Sequence, residues 1–353
     1  MVIKVAHFVH EISIHNISIS HNVLSFLKNF NNRDISTYVC TNSTDNFFKK
    51  KIKKNFLISY LNLVLSSNIP KVIHIHGIWG FYEFLIYMLF FIRNTNIIIH
   101  SHGMLNVEAM LNKGKFSYYK KILFIRLMKI FIKKNYVFIT STSQEAKRVK
   151  HFFQPIKVKI TNNFLEQSKI IEVKNKKLKK NFIFLGRINK HKNIVSIMKA
   201  FIAAKLKYPW KLIIFGIPDD KNYRDKIFTF SNDHQNIQIS KPIFGKKKYK
   251  VIKEAWSNIL FSNSEILSYS LLESSLLQVP TILSKKIHLN GIKYPRKLIS
   301  SHDIKDLKKK ILYISKLKIK NRILIGKKIS QLIKKQINDQ ETKLFFYKVY
   351  KQC

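Results

Sequence analysis

Glu265 and Glu273, with seven residues between them, lie where an apolar stretch, Ser257–Asn263, gives way to a helical one ending at Val279-Pro280. The first carboxylate would project from a loop and the second from an early helical turn, where backbone N–H groups favour oxygen-rich ligands. Upstream, Phe182-Ile-Phe-Leu-Gly-Arg-Ile-Asn-Lys-His-Lys192 reads as a strand, a turn at Gly186 and two cations, Arg187 and Lys192, on the next loop. A guanidinium and an ammonium converging there could hold a diphosphate and stabilise it as it leaves. Carboxylates for hydroxyls and cations for phosphates together suggest a nucleotide-sugar site. Plainer readings exist for each piece. Arg187 and Lys192 are two cations among 65 basic residues, and Ser270-x-x-Glu273 has the spacing of a helix capping box. Glu265, on a loop at a strand end, has no such alternative.

Histidines form a second group. His74, His76, Gly77 and Trp79 lie in Val72-Ile-His-Ile-His-Gly-Ile-Trp-Gly80, and His102 in Ile98-Ile-His-Ser-His-Gly103. Each segment reads as a strand running into a turn, so the rims should face a ligand cleft. His102, read as last on its strand, is best placed against a ligand. No carboxylate or cysteine completes a spacing typical of a metal site, so no metal is expected. No Asp-x-Asp pattern, Ser-His-Asp order or P-loop is visible either.

These groups need a scaffold. Short apolar runs alternate with longer amphipathic segments, the pattern of parallel sheets wrapped in helices. Strands are expected at 2–9, 35–40, 71–75, 96–100, 136–140 and 156–160, and helices near 20–30, 82–92, 116–133 and 143–153. Thr142 and Glu145 have capping-box spacing for the last helix. Strands recur at 182–186, 211–215, 236–239, 258–262 and 280–283. Residues 168–180 are charged and lack a long apolar period, which makes them the expected linker. The expected divisions are a first domain over 1–167, a second over 181–335, and a C-terminal helix over 336–353 that would cross back to the first. Each doubly wound half would open its ligand crevice at the carboxyl ends of its strands, placing the ligand between the halves.

Composition sets the outer limits. A chain of 353 residues that is 46% hydrophobic can bury ample core. Two cysteines, Cys40 and Cys353, suit a reducing compartment. The amino terminus lacks the ordered regions of a signal peptide, and the most apolar run, Phe84–Ile92, is far short of the roughly 20 residues that span a bilayer. The formal charge is +46, against only 19 acidic residues. Heavy use of Lys, Asn and Ile is what an AT-rich genome encodes, but it does not explain the shortage of acids, so a polyanionic partner is expected. The segment from Phe116 is apolar around most of a helix, with Arg126, Lys129 and Lys133 on one face. A sheet-covering helix needs one apolar stripe, and the surplus suits an anionic membrane surface.

In order, these residues resemble the retaining glycosyltransferases of family 4. The resemblance rests on His-x-His-Gly-x-Trp at 74–79, Ser-His-Gly-Met-Leu at 101–105, Thr-Asn-Asn at 161–163, Gly-Arg-x4-Lys at 186–192, Glu-x7-Glu at 265–273 and Val279-Pro280. It implies the GT-B fold: two Rossmann-like doubly wound domains facing each other across a cleft. It also implies that Arg187 and Lys192 bind the donor diphosphate, Glu265 contacts the transferred sugar and Glu273 the ribose. His102 would sit beside the donor sugar, making His102 and Glu265 the catalytic candidates. Gly186, Leu267 and Ser268 complete the donor set, and His74, His76 and Trp79 are acceptor-side candidates. The implied reaction uses a UDP- or GDP-linked sugar as substrate, needs no cofactor or metal, and proceeds with retention toward a glycan or lipid-linked acceptor. Lipopolysaccharide or capsule assembly at the cytoplasmic face of the plasma membrane is the natural setting, and no nucleic acid is expected. Three departures from the family stand out. Ser13–Ser20 lacks the usual Gly-Gly, Ile266 replaces a glycine after the first Glu, and Gln278 replaces another. They motivate a rival reading, a catalytically silent scaffold of the same fold. Charge alone motivates a second, a nucleic-acid-binding protein, but the lysines are scattered and no recognition motif appears.

Overall fold

The computed structural model describes the chain except residues 1, 15, 51, 53–56, 66–68, 94, 112–113, 134–135, 154–155, 166–169, 171–176, 267 and 290. Most of the expected linker, and Leu267, therefore lie outside the described residues. The chain forms two compact units, Met1–Phe164 with Asp339–Cys353, and Leu165–Asn338.

The first unit is built on a parallel sheet of seven strands. In space they run Leu57–Ile58, Ile35–Cys40, Ile3–Phe8, Val72–His76, Asn96–His100, Val137–Thr140 and Lys157–Ile160. The strands at Val72–His76 and Asn96–His100 are all but fully buried, as parallel strands covered on both faces must be. Order reverses between Ile3–Phe8 and Val72–His76, so the crevice of this unit opens beyond those two strands. The helix Asp339–Gln352 belongs here. Its Phe346, Val349 and Tyr350 are buried against Val5, Phe26, Phe30 and Ile98.

The second unit repeats the plan with six parallel strands. Their order is Ile237–Ser240, Lys211–Phe215, Asn181–Leu185, Ser257–Leu260, Thr281–Ser284 and Ile299–Ser300. Its reversal lies between Asn181–Leu185 and Ser257–Leu260. The loops that follow these two strands carry Gly186–Lys192 and Phe261–Ser268. Both carry site candidates named in the sequence.

Gln278 leaves the helix Tyr269–Leu276 with φ +60°, in the left-handed region that suits glycine. Its carbonyl accepts from Arg322 Nη1 at 3.1 Å. Gly326 packs beneath it so closely that a Cβ would stand 2.0 Å from that carbonyl oxygen. Alanine would normally raise helix stability at position 326 by about 1 kcal/mol. The backbone clash reverses the sign here, and Gly326→Ala should cost about 1–3 kcal/mol. Thermal melting of the variant checks this. An unchanged or raised midpoint would mean that the helix and turn separate at little cost.

Candidate active site

In the second unit, the turn Gly186–Lys192 and the loop Phe261–Ser268 are tied together. Asn263 N–H donates to the His191 carbonyl at 2.9 Å, and His191 Nε2 bonds the Ser264 carbonyl. Asn189 caps the short turn Lys190–Lys192 by accepting from Lys192 N–H at 3.1 Å. These contacts deliver Lys192 Nζ to Glu265 Oε1 at 2.6 Å. Glu265 Oε2 accepts from Ser262 Oγ at 2.8 Å. Burial pushes the Glu265 carboxyl up, but the Lys192 ammonium and the Ser262 and Ser268 hydroxyls outweigh it, leaving it below its ordinary range. Ser268 thus acts here by holding Glu265, and it also forms the N-cap of Tyr269–Leu276.

Glu273 sits in that helix, 6% exposed. The capping box expected from Ser270 and Glu273 does not form, because the helix begins one residue before Ser270. Glu273 instead pairs with Lys248 Nζ from the helix Gly245–Glu254. Lys248 carries no signal in sequence, lying in a run of three lysines. Arg187 is half exposed, 3.5 Å from Asp219 Oδ2, which also accepts from Asn189 Nδ2 at 2.8 Å. Gly186 has φ +158° and lies beneath Gly216, whose added Cβ would meet the Gly186 carbonyl at 2.0 Å. The result is two cation–carboxylate pairs, Lys192–Glu265 and Lys248–Glu273, beside the order reversal of the sheet.

In the first unit, period-two alternation turns His7, His74, His76 and His100 to one face, with His7 beside His74 and His76 beside His100 in register. Their rings stack with that of His102, at 3.9 Å between His100 and His102 and 4.4 Å between His74 and His76. His74 is fully enclosed and bonds Tyr350 at 2.8 Å. It and His76, 2% exposed, are core residues rather than the rim expected of them. Trp79 is half-buried, packs on the core of the opposite sheet face, with Phe8, Ile73 and Ile75, and lies under Lys121. His102 falls two residues past its strand's end, in a turn with φ +46°. Glu145 fixes that turn by accepting from Ser101 Oγ at 2.6 Å, from Gly103 N–H, and from Ser141 N–H at 3.0 Å. Its own N–H donates to Thr142 Oγ1 at 3.2 Å, so only half of the expected capping box exists. Glu145 and the contributions of His7 and His100 were not evident from sequence, although alternating histidines on strands hinted at the last two.

Burial lowers His7 and His102 to about 3, and His74, His76 and His100 well below the ordinary value. His7 Nδ1 bonds His76 Nε2 at 2.9 Å, and His76 Nδ1 bonds His102 Nε2 at 3.0 Å. Yet His7 Nε2, His74 Nε2 and both His100 nitrogens are buried without a partner. Leaving such groups unsatisfied costs about 1–3 kcal/mol each. His7, His74 and His76, and again His76, His100 and His102, bring three ring nitrogens within 4.8 Å of one another. Both groups could hold a metal ion.

The first loop of this unit is closed on itself. Ser13 N–H donates to Ser20 Oγ at 3.1 Å, Ser20 Oγ donates to the Ser13 carbonyl, and Ile14 N–H donates to Asp45 Oδ2 at 2.7 Å.

Residues 166–331 match the family described as Glycosyl transferases group 1. No curated protein matches the chain by sequence. Among solved structures, Anabaena Alr3699/HepE, in complexes with UDP and with UDP-glucose, superposes with a TM-score of 0.78 at 9% identity, covering 99% of this chain and 100% of its own. The pneumococcal O-GlcNAc transferase GtfA, in complex with UDP and GlcNAc, gives 0.73 at 9% identity, with 99% of both chains covered. Sucrose-phosphate synthase from Thermosynechococcus elongatus gives 0.71 at 12%, covering 99% of this chain and 98% of its own. The fold is GT-B, and the second unit is similar to the glycosyl transferases group 1 family over residues 166–331.

Proposed function

We propose that this chain, a glycosyltransferase by its similarity to the group 1 family, moves a sugar with retention from a nucleoside diphosphate donor to a glycan or lipid-linked acceptor. The carrying observation is the pair of preassembled ion pairs, Lys192–Glu265 and Lys248–Glu273, at the switch point of the second sheet. Each orients an ammonium against a carboxylate before any ligand arrives, so little reorganisation opposes binding. In this reading Lys192, with Arg187, turns to the diphosphate and stabilises its charge as the sugar leaves. Glu265 receives the sugar hydroxyls and Glu273 the ribose hydroxyls. Cations serve the diphosphate, so no metal ion is needed there. The UDP and UDP-glucose of the similar solved structures support a uridine nucleotide, and His102 is the first unit's catalytic candidate.

The test is transfer itself, with sugar nucleotides offered to acceptor extracts and products read by mass spectrometry. Glu265→Ala should lower turnover at least ~100-fold. Its melting temperature should stay nearly intact, because Lys192, with 16% of its side chain exposed, can hydrate. Full activity in the variant would remove Glu265 from the site. A silent scaffold is favoured by one observation, the closed first loop, whose Ser13 and Ile14 N–H groups are already bonded. It predicts no thermal shift with UDP, GDP or ADP. A bound nucleotide at 100 times its dissociation constant would add about 2.7 kcal/mol.

The acceptor reading places the protein on the cytoplasmic face of an anionic membrane, in lipopolysaccharide or capsule assembly. Among the described residues no helix is long and apolar enough to cross a membrane. The helix Lys115–Phe131 buries Ile125 and Met128. Its other side exposes Phe116, Tyr119, Leu123, Leu127 and Ile130, each between 43% and 72%, at helical spacing. Arg126 and Lys129 are exposed beside this stripe, whereas Lys133 is half-buried over Phe91 and contributes less. Arg126→Glu with Lys129→Glu should weaken cosedimentation with phosphatidylglycerol vesicles at least ~10-fold, since each basic residue near such a surface contributes about 1 kcal/mol. Unchanged sedimentation would rule the helix out.

A further inference from the structure

We propose that His76, His100 and His102 form a three-histidine site for a divalent transition metal ion of the zinc class. The inference does not rest on the glycosyltransferase reading, since it concerns the first unit alone and has its own readout. His76 Nδ1 and His102 Nε2 face each other at 3.0 Å. Two neutral imidazoles so placed share a single proton. Bonds of about 2.0–2.1 Å to a tetrahedral ion hold two nitrogens about 3.3 Å apart, so an ion replaces that proton with a shift of a few tenths of an ångström. A nitrogen of His100 lies within 4.8 Å of both. His100 stacks on His102 at 3.9 Å and must turn its ring to bind. Both its nitrogens are buried and unpartnered, so the turn breaks no hydrogen bond.

The surroundings are those of a metal site. His76 Nε2 bonds His7 Nδ1 at 2.9 Å, the outer contact that fixes the tautomer of a ligating histidine and raises its basicity. The donor set is all imidazole, which suits zinc, copper, nickel or cobalt and discriminates against magnesium and calcium, which require oxygen. His102 is half-buried on its turn, providing an approach from solvent, and Glu145 holds the residues on either side of it. Three protein ligands leave the fourth position for water or a substrate oxygen.

The experiment titrates the untagged full chain, stripped with EDTA, with Co2+ and then Zn2+ at pH 8. Wild type should take up one equivalent of Co2+ with the intense visible bands of a tetrahedral complex, and Zn2+ should displace it. His100→Asn should lower the affinity at least ~100-fold. His7→Gln, which removes the outer contact, should lower it about 10–100-fold. Wild type is read first, so a variant that fails to fold leaves the test standing. Failure of folded wild type to bind either ion stoichiometrically would overturn the proposal. So would an affinity unchanged by His100→Asn, which would place the ion on His7, His74 and His76 or on surface histidines.

Discussion

Acidification from pH 8 to pH 5 should unfold the first unit while the second remains folded. His7, His74, His76 and His100 are at most 2% exposed and are held uncharged by burial, His7 down to about 3 and the others well below the ordinary value. In the unfolded chain each binds a proton near pH 6.5. The unfolded state therefore holds more protons at every pH below about 6.5, and stability falls as pH falls. At pH 5 each group costs about 2 kcal/mol, or about 8 kcal/mol for the four. His102 is left out of that sum because solvent reaches it. Glu83 opposes the trend. Burial raises it to about 7, so it keeps a proton that the unfolded chain releases, offsetting about 2–3 kcal/mol at pH 5. Burial raises Glu145 as well, in the same stabilising direction. A net loss of several kcal/mol is a large part of the 5–15 kcal/mol typical of a domain. In the second unit, Glu265 has the opposite sign of shift from Glu83. Its contribution is present above the unfolded carboxylate value and is lost only as pH falls below about 4. Trp79 reports on the first unit, and Trp210 and Trp256 on the second. Fluorescence melts of single-tryptophan variants should separate the two transitions. A first-unit midpoint that is flat between pH 8 and 5 would mean that the histidine stack opens readily to solvent.

Arg322→Leu should be the most damaging single change in the second unit. This arginine is 4% exposed, with no acidic partner among its hydrogen bonds. Instead Nε donates to the Trp256 carbonyl at 3.0 Å, Nη1 to Gln278 at 3.1 Å and Nη2 to Ala255 at 2.8 Å. Burial lowers its pKa to about 10, still far above neutrality, so the cation persists in the core. One planar group thus satisfies carbonyls at the start of Ser257–Leu260 and at the left-handed turn of Gln278. Leucine would leave all three acceptors without this donor. The expected loss is about 3–5 kcal/mol, near 10 °C in a unit of this size. Lysine should recover little, because a single ammonium cannot fork to three carbonyls. Calorimetry on Arg322→Leu and Arg322→Lys checks this. A drop under about 1 kcal/mol in either variant would show that water replaces the guanidinium.

The sequence by itself determined the architecture, because strand and helix signals are local. Expected strands at 35–40, 96–100 and 211–215 match the observed limits, and the helix 143–153 does too. Hydrophobic period and turn residues act over a few positions, and each apolar run can be read without knowing its neighbours. The approach of Lys192 to Glu265 was legible for a related reason. Both lie on loops that leave adjacent strands, and a doubly wound sheet brings such loops together at its switch point.

What only the tertiary structure decided is which side chains face one another across long sequence separations. Lys248 reaches Glu273 because two helices pack, and nothing in its lysine-rich run distinguishes it. The spacing of Ser270 and Glu273 suggested a cap, but a helix start at Tyr269 moved Glu273 away from that role. His7 meets His76 across 69 residues because parallel register aligns alternate positions on three strands, and Arg322 finds carbonyls some 44 to 67 residues away. Burial and charge state depend on those neighbours. A histidine in sequence carries a pKa near 6.5, and only the packing of four others around it makes it a neutral core residue.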